Sequence, residues 1–328
     1  MEIPHRRRFL YLAAGGAALP SMARIAWAQA YPMRPVRLIV PYAPGGMDDT
    51  IGRLIAQRLS DRFKRQFHVE NMPGGGGNIG SGRAARAAAD GYTILVDDGT
   101  SFAINPLLYR NAGYDPDRDF SVIAVPVKTT QVLTVTPSMP AHTVKDLVTL
   151  IKASPGKYSY ASAGVTSPSR FTSELFRTSL GLDLVHVPFN GAGPAVTSTI
   201  GGHTQIAFGS PASSVAQIRQ GLLRALAVAS KSRLAALPDV PTMKEAGFPE
   251  IECDSGIGFF VPRGTPREII DKLNREIGVI VALPEMKEQL ATFGFESSPG
   301  TPEEAAVALN TESAKWLNVI RTADIKAD

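Results

Sequence analysis

Three segments rich in glycine and other small residues could hold an anion through backbone amide groups. They span residues 40–50, 160–167 and 188–193, and each follows a short apolar run and precedes a helical pattern. A helix N-terminus offers unpaired N–H groups and a partial positive charge, and small preceding residues let an anion approach them. None of these segments contains lysine or arginine. We therefore expect neutral donors to bind a carboxylate, without a general acid, base or nucleophile.

Other chemistries lack their sequence patterns. Gly45-Gly46 is not a dinucleotide fingerprint, and no phosphate-binding loop that ends in Gly-Lys-Ser/Thr occurs. The five histidines show no metal-ligand spacing, and the hydrolase nucleophile elbow is absent. The pairs Asp48-Asp49 and Asp97-Asp98 fit caps or turns better than acid/base catalysis, because neighbouring side chains usually point apart. Gly74–Gly77 is interpreted as a loop and helix start, with lining of a ligand cleft as the alternative. No catalytic residue, metal site or cofactor is predicted.

The elements that must position these loops alternate along the chain. Helical spacing of apolar residues is clear at 51–63 and 144–151, and capping residues before prolines mark further helix starts, such as Ser167-Pro168 and Ser210-Pro211. Strand–helix alternation favours an α/β fold with largely parallel sheets, in which ligands bind beyond the carboxyl ends of the strands. The three loops would then converge on one cleft. The predicted strands are residues 36–40, 92–96, 131–136, 184–187, 205–208 and 256–261.

The first thirty residues predict export. Arg6-Arg7-Arg8 precedes an apolar run from Phe9 to Pro20 and then Ala28-Gln29-Ala30, which is the order of a signal peptide cleaved after Ala30. Twin-arginine and ordinary Sec export both remain open. This segment holds four of the 34 basic and one of the 30 acidic side chains, so residues 31–328 are close to neutral. This near-neutral charge gives no reason to expect a nucleic acid partner. No stretch after residue 30 approaches 18 continuous apolar residues, so direct membrane insertion is not expected either. Cys253 is the only cysteine, which excludes an intramolecular disulfide.

Several motifs together resemble the Bug family, the periplasmic substrate-binding proteins of tripartite tricarboxylate transporters. The resemblance covers essentially the whole chain after residue 30. It rests on Tyr31-Pro32 with Pro35-Val36, Val40–Gly46 with Asp49 and Arg53, Glu70–Gly77, Ala89–Thr93, Val187–Ala195 and Leu237–Thr242. Each motif is weak alone, whereas the set is specific.

The resemblance implies a two-lobe, type II periplasmic-binding-protein fold, of the Venus flytrap kind, with a ligand cleft between the lobes. Lobe 1 would comprise residues 31–131 and 252–328, and lobe 2 residues 132–251, with a hinge near residues 131 and 252. It further implies a periplasmic, non-enzymatic and monomeric receptor that delivers a small carboxylate to membrane transporter subunits. A receptor that presents its ligand to a sensor kinase is the alternative, and an exported enzyme of unknown reaction is a weaker one.

The ligand-binding residues are expected in the three loops and after the strand at 92–96. Di- or tricarboxylates, acidic amino acids and aromatic acids are all candidate ligands. Where the family often has Pro-Thr, this chain has Met47-Asp48. The added carboxyl could repel a second ligand carboxylate, attract a cation, or point to solvent. The candidate residues are Tyr42, Pro44, Gly45, Gly46, Met47, Asp49, Thr100, Ser101, Ser162, Gly164, Thr166, Ser167, Phe189, Asn190, Gly191 and Gly193.

Overall fold

Two β-sheets organise the computed structural model, which describes residues 31–253 and 255–326. The predicted signal peptide lies outside the described residues. The strands are β1 (Val36–Val40), β2 (Phe67–Asn71), β3 (Thr93–Asp98), β4 (Phe120–Thr129), β5 (Val132–Val135), β6 (Ser159–Ser162), β7 (Val185–Pro188), β8 (Ile206–Gly209), β9 (Arg224–Val228), β10 (Ser255–Pro262) and β11 (Glu296–Ser297).

Eleven α-helices in the described ranges cover these sheets, and a short 3₁₀ turn spans Gly75–Gly77. None of the described helices has the length and apolar character needed to cross a membrane. The helices are α1 (Met47–Phe63), α2 (Asn78–Ala85), α3 (Gly99–Leu108), α4 (Pro116–Asp119), α5 (Val144–Ala153), α6 (Pro168–Ser179), α7 (Ala192–Ile200), α8 (Pro211–Arg219), α9 (Arg267–Ala282), α10 (Pro284–Thr292) and α11 (Pro302–Thr322).

Both sheets are mixed. The first has the order β11–β4–β10–β3–β1–β2, and the second has the order β7–β6–β8–β5–β9. Strands joined through helices run parallel, as in β1 with β2 and β3 and in β6 with β7 and β8. The expectation of largely parallel sheets was wrong in this detail. The chain passes between the sheets at β4–β5 and β9–β10 without a crossover helix, and these four strands pair antiparallel.

The two passages between the sheets lie side by side. The Thr130 hydroxyl donates to the carbonyl oxygen of Cys253 at 2.7 Å, and the amide of Ala229 donates to the carbonyl oxygen of Gln131 at 2.8 Å. Only residues 130 and 131 separate β4 from β5. The hinge and lobe boundaries predicted near 131 and 252 stay predictions.

The C-terminal helix α11 belongs to both cores. Near its start, Ala305 and Leu309 pack in a buried cluster with Leu95 of β3. Towards its end, Trp316 and Ile320 belong to the cluster beneath the second sheet. The helix therefore joins the two halves of the molecule in addition to the two chain passages.

Candidate functional site

The three predicted loops meet in one pocket between the two sheets. Lining residues come from both halves of the molecule, and most of them are small or apolar. They are Tyr42, Gly46, Met47, Asp48, Asp98, Gln131, Ala161, Ala163, Ser167, Pro168, Ser169, Gly191, Ala192, Ala195, Val196, Ala207, Phe208, Gly209, Ser210 and Ser213.

Close contacts across the cleft hold the loops together. Gly191 has φ of +126°, and a Cβ added there would lie 3.1 Å from Cβ of Ala43 and 3.2 Å from its amide nitrogen. The Ser101 hydroxyl donates to the carbonyl oxygen of Thr166 at 2.7 Å, which connects α3 to the loop before α6. The two halves are thus in a closed arrangement, and glycine at position 191 is required for the approach.

Four helices begin at residues that line the pocket. Helix α1 begins after Gly46, α6 after Ser167, α7 after Gly191 and α8 after Ser210. The first amides of a helix have no intrahelical acceptor, and the helix dipole makes this end partly positive. Converging helix N-termini can therefore hold carboxylate oxygens without a charged side chain.

Asp49 holds the first loop in shape instead of facing the pocket. Its carboxylate accepts hydrogen bonds from the Gly45 amide at 3.0 Å and from the Asn71 side-chain amide at 2.9 Å, and it lies 2.8 Å from the guanidinium of Arg53. Burial alone would raise the pKa of Asp49, but these bonds outweigh it and lower the pKa below its ordinary value. Asp49 is thus placed to support the loop that carries Gly46 and Met47.

We expect Asp49→Ala to lower the free energy of unfolding by about 2 kcal/mol, because it leaves several donors without their charged acceptor. Because the folded-state pKa is lowered, this contribution is complete above the unfolded pKa of about 3.9 and is lost as the pH falls below it. Urea unfolding of both proteins at pH 7 and at pH 3 measures the difference. Asp61→Ala, at an exposed position of the same helix, is the matched control and should change stability by less than about 0.5 kcal/mol. An equal effect of both substitutions would contradict the role of Asp49.

A group of buried carboxyls lies on the first-sheet side of the pocket. Asp48 is 4% exposed and Asp98 is 1% exposed, and both line the pocket, with Asp97 beside them. Asp98 caps α3 by accepting from the amides of Thr100 and Ser101, as the cap interpretation predicted. Burial raises the pKa of Asp48 well above its usual range, and the nearby charges of Asp98 and Asp97 raise it further. Asp48 therefore faces the pocket and not solvent.

The candidate residues fall into three groups. Tyr42, Gly46, Met47, Ser167 and Gly191 line the pocket. An adjoining cavity is lined by Gly164, Phe189 and Asn190, together with Tyr42 and Gly74–Gly77, so the glycine tract lies beside the cleft. The other candidates line neither space. Pro44 and Gly45 are exposed, Gly193 lies close to Pro44, and Asp49 supports its loop. The remaining candidates are buried and make contacts within the protein: Thr100, Ser101, Ser162 and Thr166.

The lining residues that sequence reasoning missed include a fourth loop, the side chain of Gln131, and Asp98, which was interpreted only as a cap or turn. Ser210 and Ser213, at the start of α8, line the pocket, and so does Gln131 from the passage between β4 and β5. The predicted strand at 205–208 leads directly into the Ser210-Pro211 helix start, so a signal for the fourth loop was present in the sequence. Gln131 carried no comparable signal, because its position depends on how the two sheets are joined.

A serine–histidine pair next to the pocket was also unanticipated. The Ser162 hydroxyl donates to the carbonyl oxygen of Gly164 at 3.0 Å and lies 2.7 Å from Nε2 of His186. Burial, with a smaller effect of the Arg170 charge, lowers the pKa of His186 to about 3. Such a weak base takes a proton poorly at neutral pH, and Ser162 is fully buried. The pair is suited to fixing the loop after β6.

Comparison with known proteins identifies the family of this chain. The profile of the tripartite tricarboxylate transporter family receptor matches residues 51–325. A UPF0065 protein from the tcbD–tcbE intergenic region of Pseudomonas sp. (strain P51) is 35% identical over 319 residues, covering 96% of this chain and 94% of that protein. The protein BugT of Bordetella pertussis (strain Tohama I) is 31% identical over 97% of this chain and 96% of its own length.

Solved structures show the same fold. A structure described as a periplasmic transporter is 38% identical with a TM-score of 0.86, and covers 91% of this chain and 100% of its own. A Rhodopseudomonas palustris protein with adipate is 34% identical with a TM-score of 0.87, over 90% of this chain and 99% of that one. MatC from the same organism, with bound malate, is 29% identical with a TM-score of 0.83, over 88% and 100%. The predicted fold class is confirmed.

Proposed function

This chain belongs to the tripartite tricarboxylate transporter receptor family, as the motifs had predicted, and from that premise we propose which solute it binds and where it acts. It is an extracytoplasmic solute-binding receptor. Its solute is a small organic carboxylate, which the receptor holds in the pocket between the two sheets. After capture in the periplasm, it delivers this solute to the membrane subunits of a transporter.

One observation carries the choice of a carboxylate. The N-termini of α1, α6, α7 and α8 all reach the pocket, and the described residues that line it include no lysine, arginine or histidine. Neutral amide donors that converge on an enclosed space favour an anion small enough to be surrounded by them. Adipate and malate in the two relatives are ligands of this kind.

The same geometry supports binding over catalysis. Among the described residues, the serine–histidine pair beside the pocket is a poor nucleophile and base, since Ser162 is buried and the pKa of His186 is far below neutrality. Opening and closing of the two halves about residues 130–131 and 229–253 would admit and release the ligand. We propose that the protein is a monomeric carrier whose export signal is removed after Ala30.

A thermal-shift screen of residues 31–328 against a panel of carboxylates tests this function. A true ligand at 100 times its dissociation constant adds about 2.7 kcal/mol of stability, which corresponds to a rise in Tm of roughly 4 °C for a chain of this size. Each acid is compared with its neutral diol or amide, which should give no shift. Absence of a shift across the panel, or conversion of a bound acid into a product, would contradict the proposal.

A further inference from the structure

The two sides of the pocket differ in electrostatic character. On the second-sheet side, the N-termini of α6, α7 and α8 present amide donors and partial positive charge. On the first-sheet side, the N-terminus of α1 also reaches the pocket, but Asp48 in its first turn and Asp98 line the pocket there, with Asp97 close to Asp48. Within the described ranges, no basic side chain that lines the pocket offsets these carboxyls. The pocket is therefore polarised from one side to the other.

Two buried acceptor oxygens in this pocket have no hydrogen-bond partner within the protein, and the buried hydroxyl of Tyr42, which can donate, is a third such atom. One is Oδ1 of Asp48, a residue that is 4% exposed. The other is Oε1 of Gln131, which is 2% exposed and reaches the pocket from the passage between the sheets, independently of the acidic group. Buried polar atoms are normally hydrogen-bonded, so both positions call for a donor supplied by the ligand.

We propose that the solute carries a protonated amine in addition to its carboxylate, and that Asp48 binds the amine while the helix N-termini of the second-sheet side hold the carboxylate. This inference rests on the proposed function and specifies the class of solute. An ammonium group has a positive charge and three donors, at least as many as these two oxygens require. A second carboxylate has no donor to offer these two oxygens.

The other carboxyls support the same assignment. Asp98 accepts from the two amides that it caps. Asp97 accepts a hydrogen bond from the Ser81 hydroxyl at 2.9 Å through Oδ2, and its Oδ1 has no partner, but Asp97 does not line the pocket. Burial raises the pKa of Asp98 to about 6, and above that pH its charge adds to the negative potential at Asp48. Of the two described carboxyls that line the pocket, Asp48 is the one with an oxygen that has no hydrogen-bond partner.

Titration calorimetry at pH 7.5 with matched ligands tests the inference. Adipate, hexanoate and 6-aminohexanoate share a six-carbon backbone and differ at one end, and succinate, butanoate and 4-aminobutanoate repeat the comparison at four carbons. We expect the amino acid of at least one set to bind about tenfold more tightly than its dicarboxylate and monocarboxylate, a difference of about 1.4 kcal/mol. Tighter binding of both dicarboxylates would overturn the inference, as would equal binding within both sets.

Asp48→Asn supplies the second arm. It keeps the size of the side chain but removes its charge, so we expect the amino-acid ligand to lose about tenfold in affinity and the dicarboxylate to gain. Asp61→Asn, on the exposed part of the same helix, should change neither affinity. If Asp48→Asn weakens dicarboxylate binding instead, Asp48 acts as a donor to a second carboxylate and the inference is wrong. If Asp48→Asn does not fold, the wild-type comparison still decides.

Failure of this inference is separable from failure of the proposed function. If carboxylates without an amine raise the Tm while the amino acids do not, the receptor function stands and the cationic group is excluded. If no carboxylate of any kind binds, the proposed function itself fails.

Discussion

Gly191→Val is expected to reduce ligand affinity by about 100-fold, or about 2.8 kcal/mol, while the protein remains folded. Gly191 lies where the α7 loop meets the first glycine loop, and its φ of +126° is a conformation that L-residues rarely adopt. Even a single added carbon would lie 3.1 Å from Cβ of Ala43 on the opposite side of the cleft. The valine side chain would prevent the two halves from approaching closely enough to surround a ligand. Titration calorimetry with the best ligand from the screen measures the loss.

Gly181→Val separates the cross-cleft contact from backbone strain. Gly181 also has a positive φ, of +59°, and no atom lies within 4 Å of a Cβ added there. Both variants bear strain of about 1–3 kcal/mol, so both should melt somewhat below the wild type. Only Gly191→Val should lose binding. Comparable affinities for the two variants would show that closure at Ala43 is not needed for capture.

Local sequence signals located the elements and loops that depend on local chemistry. The strand predicted at 36–40 agrees with β1 at both ends, because Pro35 and Pro41 bound its apolar run. Strand β4 was missed, since Pro126 interrupts its pattern, yet the strand pairs with β10 through two register irregularities. The three loops were found because a strand, small residues and a helix start follow one another in the chain.

Features that depend on the joining of distant segments could not be predicted in this way. Gln131 faces the pocket because β4 passes directly into β5 of the other sheet. The direction of Asp48 was left open by the sequence, since an acidic residue in the first turn of a helix is equally common at the surface. Its burial follows from the approach of the second sheet across the cleft.

The placement of the C-terminal helix α11 is the largest feature of the fold that local sequence patterns could not predict. Residues 252–328 were assigned by resemblance to the first lobe, and the sequence pattern of α11 gives no indication of which sheet it covers. In the structure, Ala305 packs in the first half of the molecule, whereas Trp316 is fully buried in the second core, with its ring centroid 5.9 Å from that of Phe171. The end of α11 thus holds the halves together at a point remote in sequence from the two chain passages.

Trp316→Ala is therefore expected to reduce the free energy of unfolding by about 3–5 kcal/mol, the range for truncation of a large buried aromatic side chain. The loss combines removal of the buried ring with the cavity left beside Phe171, which the surrounding helices fill only in part. Urea unfolding followed by far-UV circular dichroism measures it, because the signal comes from the backbone and does not require the tryptophan.

Val307→Ala is the matched control, since Val307 lies on the same helix and is 66% exposed. Its removal should change stability by less than about 0.5 kcal/mol, so a difference between the two variants reports burial and not helix propensity. Because Trp316 anchors α11 in the second core while Leu309 stays in the first, the loss at 316 should also weaken the coupling of the two halves. We expect the single unfolding transition of the wild type to broaden in Trp316→Ala. A sharp transition with an unchanged midpoint would mean that α11 does not hold the halves together.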